Sequence, residues 1–185
     1  MKGCFAIGLY KQGLCHDLSK YSPTEFFVGA RFYQGNRSPN NAEREAKGYS
    51  SSWLHHKGRN KHHYEYWIDY SVKDIEGGMA PAPMPVKYIL EMMMDRIAAS
   101  KVYAKDSYTQ HNPLNYYKLG KEHAPLHEKT RKTLELLLLI LDKHGEEEMV
   151  RFIKKRILCN QKMWDDKNQW KLLVRKYMKY YGVKI

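Results

Sequence analysis

The sequence predicts an all-α helical bundle, folded as one domain over residues 1–185. Nearly every patterned segment repeats its apolar residues at the helical period, and none alternates like a half-buried strand. Helix-start and helix-stop residues bracket these segments. The most apolar run, LELLLLIL at 134–141, is far shorter than the roughly 18 residues a membrane-spanning helix needs, so it reads as a core helix.

The first bracketed helix starts at Ser22, followed by Pro23 at the first helical position and Glu25 three residues after the cap. This is the pattern of a capping box, with Gly35 placed to end the helix. Residues 40–56 suggest another helix, weakened by Gly48 and the serines at 50–52. The stretch GGMAPAPMP, 77–85, must be a loop, because its prolines and glycines forbid a continuous helix. After it, residues 86–105 set Val86, Ile89, Leu90, Met93 and Ile97 on one face and Met92, Ala99 and Val102 on the other. A helix apolar nearly all round is a central, buried one. Two helices follow, 128–145 closed by Gly145 and then 146–158. Lys143 and His144 end the first and three glutamates start the second, as the helix dipole favours. A final helix, 162–181, aligns Trp170, Leu173, Val174, Tyr177 and Tyr181. Left exposed, that face would pair two chains as a homodimer; folded back, it would complete the core.

With 43% hydrophobic and 13% aromatic residues, the chain has ample material for a packed core. Cys4, Cys15 and Cys159 are odd in number and form no C-x-x-C pair. They exclude a disulfide framework and a thiolate zinc knot, and they suit a reducing cytoplasm. The opening MKGCFAIGLY is interrupted too soon, by Lys11 and Gln12, to be a signal peptide. The net charge of +12 is uneven: residues 151–185 hold eleven Lys or Arg against Asp165 and Asp166. Such a block attracts polyanions, nucleic acid included, or steers phosphorylated ligands. Its plainer reading is a solvated helix face.

Two groups of polar residues stand out against this scaffold. Asp95 lies in the middle of the apolar helix, where an ionised carboxylate is costly unless a cation meets it, either Arg96 or a metal ion. The stretch WLHHKGRNKHHYEYW, 53–67, holds the pairs His55-His56 and His62-His63, so four of the nine histidines fall within nine residues. A lone histidine is usually a cap or a core residue. Two pairs, beside a separate His16-Asp17 dyad and a buried Asp, point to a metal site. Imidazoles favour zinc, iron, manganese, nickel or cobalt, and carboxylates shift the preference toward iron or manganese.

HDLSK at 16–20, the paired histidines and an Asp in a later helix resemble the HD superfamily of metal-dependent phosphohydrolases, especially variants with an H-D-x-x-K step. HHYE followed by MPVKYILEMMMD is similar to the second histidine pair, Pro-containing loop and final ligand helix of that superfamily. GLYKQGLCHDLSKYSPTEF and HHKGRNKHHYEYW also resemble a small bacterial family of uncharacterised HD-like proteins, over about residues 5–100. The resemblance implies an HD-domain-like bundle with a metal-site core in residues 1–105, followed by C-terminal helices and the basic tail in 106–185. It implies that His16 and Asp17 ligate a metal, with Asp17 bridging if two ions are bound. His56 with His62 or His63 would complete a second ion's shell, Asp95 would close the first, and His55 would ligate or orient a neighbour. Lys20 would face the same cleft and stabilise charge on a phosphoryl group; otherwise it is a surface lysine paired with Asp17. Glu65 would act in acid-base transfer or hold a ligand histidine. The family pattern begins with a histidine in a helix well before the dyad, and no histidine precedes His16. That departure implies a truncated N-terminal helix, a start placed too late, or a substitute ligand such as Cys4 or Cys15.

The resulting expectation is a cytoplasmic metal-dependent hydrolase of a phosphomonoester or phosphodiester, with a nucleotide-like substrate and one or two divalent ions. Tyr64, Trp67 and Trp53 are near enough in sequence to the histidines to stack on a base, although core packing is the commoner role of such rings. Two other classes stay open: a di-iron oxygenase built on the same ligand set, and a non-enzymatic protein that binds nucleic acid or a partner through residues 151–185.

Overall fold

The computed structural model describes residues 1–184 apart from 36 and 74, with the backbone alone at 76. The fold is all-α, as the sequence predicts, with one antiparallel pair of three-residue strands. Helices α1 (Lys2–Ile7) and α2 (Tyr10–Cys15) turn back on each other at Gly8. Helix α3 (Pro23–Arg31) packs against α4 (Pro39–Lys47) and α5 (Ser51–Lys57). Strands β1 (Ile68–Tyr70) and β2 (Met79–Pro81) pair with Asp69 opposite Ala80. Part of the expected 77–85 loop is therefore a strand; β2 is an edge, where proline costs no ladder bond.

Helix α6 (Val86–Ala104) crosses the centre, flanked by α1, α7 (Asn112–Gly120) and α8 (Glu128–Phe152). In α8 the side chains of Leu134, Leu136, Leu137, Leu138, Ile140 and Leu141 are fully buried. Each contributes about 1.5–3 kcal/mol through burial. Gly145 adopts φ 89°, ψ 167° inside α8, a conformation open to glycine and closed to other residues, so the expected helix boundary is a kink there.

Several boundaries differ from the sequence reading for local reasons. Helix α3 ends at Arg31, before Gly35, where the Phe32 amide closes onto the Val28 carbonyl. Residues 40–56 form two helices, because Gly48 turns left-handed after α4 and Ser50 caps α5 through the Trp53 amide. The expected 162–181 helix is also two, α9 (Gln161–Asp165) and α10 (Gln169–Tyr181). Between them the Asp166 carboxylate accepts the amides of Asn168 and Gln169, which starts α10 afresh. Trp164, Trp170, Val174, Tyr177 and Tyr181 are buried, so this aromatic face completes the core of its own chain. Helix α6 is buried all round only from Ile89 to Met94, a run that includes Glu91: Lys87, Ala98 and Val102 (68%) are exposed.

The C-terminal helices also fix α6 in place. Asp165 accepts the Val86 amide at 2.7 Å and meets the buried Lys129 ammonium at 2.6 Å. One carboxylate thereby caps α6 from another part of the chain and neutralises a cation of α8.

Candidate metal centre

The polar residues converge where the first turns of the chain meet α5 and α6. His16 follows α2 directly, and Asp17 takes a left-handed backbone, φ 57°. Asp is among the few residues that tolerate this conformation, and such positions concentrate at functional sites. The turn points both carboxylate oxygens of Asp17 inward. Oδ1 lies 3.3 Å from His56 Nε2 and 3.4 Å from His62 Nε2, whereas Oδ2 lies 3.6 Å from His16 Nε2 and 2.5 Å from Lys20 Nζ. His56 belongs to the last turn of α5, and His62 and His63 to the bend that follows. Asp95, on α6, places Oδ1 3.4 Å from His16 Nε2.

Two overlapping sets of donor atoms result. Asp17, His56, His62 and His63 each present one atom within 4.8 Å of the others, and so do His16, Asp17, His62 and Asp95. Asp17 and His62 are common to both. Bonds of about 2.0–2.2 Å to an ion place neighbouring tetrahedral ligands about 3.4 Å apart, which is the spacing of Asp17 Oδ1 from His56 and His62 Nε2 and of Asp95 Oδ1 from His16 Nε2. Asp17 Oδ1 and His62 Nε2 are buried without a hydrogen-bond partner among the described residues. A buried carboxylate oxygen and a buried ring nitrogen left unpaired are costly, and both are satisfied by a shared cation. The residues present therefore fit a transition-metal ion. Asp17 has two oxygens and can serve two ions, but His62 Nε2 has a single lone pair and can serve one.

Two carboxylates set the imidazoles in position. Glu91, 5% exposed on α6, reaches His16 Nδ1 at 3.0 Å and His62 Nδ1 at 3.2 Å with the same oxygen. Glu25, equally buried, reaches His56 Nδ1 at 2.8 Å and His55 Nδ1 at 2.6 Å. Holding Nδ1 fixes ring orientation and turns Nε2 toward the donor cluster; His56 Nε2 meets His63 Nε2 there at 2.9 Å, a contact that a bound ion would replace. Asn60 lies 3.1 Å from the same His56 Nδ1 and donates to Ser19 Oγ at 2.7 Å.

The electrostatics follow from this crowding. Burial alone would lower the pKa of His16, but Asp95, Glu91 and Asp17 outweigh it and raise it to about 9. Burial opposes the charge of Asp17 too, yet His56, Lys20 and His16 hold it well below the usual carboxylate range. Glu91 is lowered in the same way by His16 and His62. His63 is pushed down to about 3 by burial and by the charges of His62 and His56, so its ring is neutral.

His63 and Asp95 also line a cleft of about 740 Å³ between α6, α7 and the turn at Tyr64, with Trp53, Tyr64 and Glu65 on its wall. The donor cluster thus opens onto a cavity of ligand size.

Residues 1–139 match a family of unknown function, DUF5662. The chain belongs to this family. No curated protein and no solved structure matches it. The DUF5662 region spans all the donors and α6, and it stops before the basic tail.

Six of the sequence-predicted residues of this DUF5662 chain, His16, Asp17, His56, His62, His63 and Asp95, are thus brought together. His55 is not: its ring is held on Glu25, outside both donor sets. Lys20 pairs with Asp17, its side chain 62% exposed, which is the surface-pair alternative. Glu65 forms no hydrogen bond or ion pair with a ligand histidine among the described residues; it lies in the cleft with Oε2 buried and unpaired. Asp95 is half-buried at the cleft edge with its side chain 32% exposed, and Glu91 one turn earlier is the buried carboxylate. Cys4 is buried and Cys15 exposed, both free and in neither donor set. Trp67 packs against Tyr88 and the core, whereas Trp53 and Tyr64 face the cleft.

Glu25 and Glu91 are the functional residues that sequence reasoning missed. Glu25 resembled half of a capping box; its amide does bond Ser22 Oγ, but its carboxylate serves the histidines. Glu91 had a usable signal, because Glu91 and Asp95 stand one turn apart on the same face of an apolar helix.

Proposed function

We propose that this DUF5662 chain hydrolyses a phosphomonoester or phosphodiester of a nucleotide-like small molecule, at a centre of one or two divalent transition-metal ions. The observation that carries the reading is the pair of unpartnered buried atoms, Asp17 Oδ1 and His62 Nε2, set among four further donors at the end of a cleft. An imidazole-rich set with carboxylates favours iron or manganese and admits zinc, nickel or cobalt. A divalent ion held there supplies Lewis-acid polarisation of a phosphoryl oxygen and water acidified to near-neutral pH, so that no side-chain nucleophile is needed.

The chain's own residues supply the rest. Glu91 and Glu25 hold three of the imidazoles with Nε2 inward, so the donor set is arranged before any ligand arrives. Lys20 pairs with Asp17 from the surface and so helps hold that carboxylate ionised for a cation. Glu65 stands at the cleft wall with one carboxylate oxygen that has no hydrogen-bond partner among the described residues. Trp53 and Tyr64 on the cleft wall offer aromatic surface to a substrate. None of the cleft-lining residues comes from 151–185, so the basic tail and the reaction occupy different surfaces.

The test is a screen of the untagged protein, loaded anaerobically with iron or manganese, against aromatic phosphomonoesters and phosphodiesters. Phosphate ester cleavage, abolished in Asp17→Asn, is expected. Oxygen uptake without ester cleavage would replace this reading with an oxygenase.

A further inference from the structure

Arg96 follows Asp95 on α6 and lines the same cleft. Its Nε is buried without a hydrogen-bond partner among the described residues. The guanidinium carbon lies 5.9 Å from the ring centre of Tyr117, and the adjacent carboxylate, Asp95, is turned to His16. Glu65, with Oε2 also buried and unpaired, lines the cleft as well, yet among the described residues it forms no ion pair with Arg96. A buried N–H left without an acceptor lowers stability. A planar fork of five donors resting on an aromatic face is, in turn, the arrangement that receives phosphate or carboxylate with two parallel hydrogen bonds.

We propose that Arg96 is the anion anchor of the cleft: it binds a phosphate or carboxylate group of an aromatic ligand whose ring lies against Tyr64, Tyr116 and Tyr117. This rests on the cleft being the substrate pocket of the metal centre described above, and it names the residue that selects for an anionic ligand there. Tyr116 is 70% exposed and Tyr117 buried, so the ring would enter from solvent past Tyr116 and reach Arg96 at depth.

The test is binding, read by fluorescence of the full chain with chelator present so that only the protein's own groups hold the probe. Phenyl phosphate, benzoate and phenol are the probes. Phenyl phosphate or benzoate is expected to bind at least about tenfold tighter than phenol, as a charge-assisted Arg pair provides. Preference for phenyl phosphate assigns a phosphate group, and preference for benzoate a carboxylate. Arg96→Met is expected to bring the anions down to the level of phenol, and Arg96→Lys to retain part of the preference. Arg96→Met is also expected to melt no lower than the parent, because it removes a buried N–H that has no acceptor among the described residues. An anion preference that survives Arg96→Met, no preference in the parent, or a lower melting temperature of Arg96→Met would overturn the proposal. The readout needs neither metal nor turnover. Anion binding through Arg96 without ester cleavage would remove the hydrolase reading alone, and cleavage with unchanged KM in Arg96→Met would remove this one alone.

Discussion

Asp17 Oδ1 and His62 Nε2 face each other at 3.4 Å, both buried and neither hydrogen-bonded. The separation is that of two ligands of one ion, and the cost of two unpaired buried polar atoms is the physical reason to expect a cation between them.

Glu91 holds two rings with one oxygen, so its loss frees both His16 and His62. Glu91→Gln is expected to lower metal affinity roughly ten- to hundredfold, the range seen when an outer partner of a ligand histidine is removed. Competition against a chromogenic chelator measures it. Unchanged affinity would mean that the rings are held by packing alone.

Ser22 and Glu25 separate capping from histidine positioning. Ser22→Ala removes the acceptor for the Glu25 amide and is expected to cost about 1 kcal/mol in urea unfolding with metal affinity unchanged. Glu25→Gln is expected to do the reverse of that division, weakening metal binding by releasing His56. Equal effects of both changes on metal affinity would contradict the assignment.

How much of this was legible in the sequence depends on what each residue had to signal. The dyad His16-Asp17 and the doubled histidines could be picked out by type and spacing, and the helix announced by Ser22-Pro23 starts where those residues place it. Gly48 proved a break between two helices and Gly145 a kink within one, because a glycine's local signal does not say whether tertiary packing continues the helix past it. Glu25 was read as a cap because a capping box and a buried histidine partner share one local pattern. Asp165 gave no sign of reaching Val86 and Lys129, since a bond across 79 residues leaves no periodicity behind. Arg96 looked like a counter-ion for Asp95, and only the position of His16 shows that carboxylate already engaged.

The tie at Asp165 is open to measurement. Asp165→Asn leaves the buried Lys129 ammonium without its anion and weakens the cap on Val86. Asp165 is 37% exposed on its side chain, so the expected loss is about 2 kcal/mol, below the ~3–5 kcal/mol of a fully buried pair. Lys129→Met in the same chain is expected to recover part of it. Urea unfolding of the two variants checks both statements.

Glu43 supplies a pH dependence away from the metal centre. Burial opposes its charge, but Ser51, Ser50, Lys47 and the Ser52 amide outweigh it and bring it down to about 2. A lowered carboxylate pKa stabilises the fold above the ordinary value of 4.5 and loses that contribution as pH falls through about 2. The stability gap between the parent and Glu43→Gln is therefore expected to be constant near neutrality, to narrow below about pH 4.5 and to close near pH 2. A gap that widens in acid would contradict the sign.

The most direct measurement is the metal content, by mass spectrometry, of untagged protein purified without chelator, alongside Asp17→Asn and His62→Ala. About one to two equivalents of iron or manganese are expected in the parent, with loss in both variants because each removes a ligand common to the two donor sets. No bound metal in the parent, and none taken up on anaerobic reconstitution, would contradict the account at its centre.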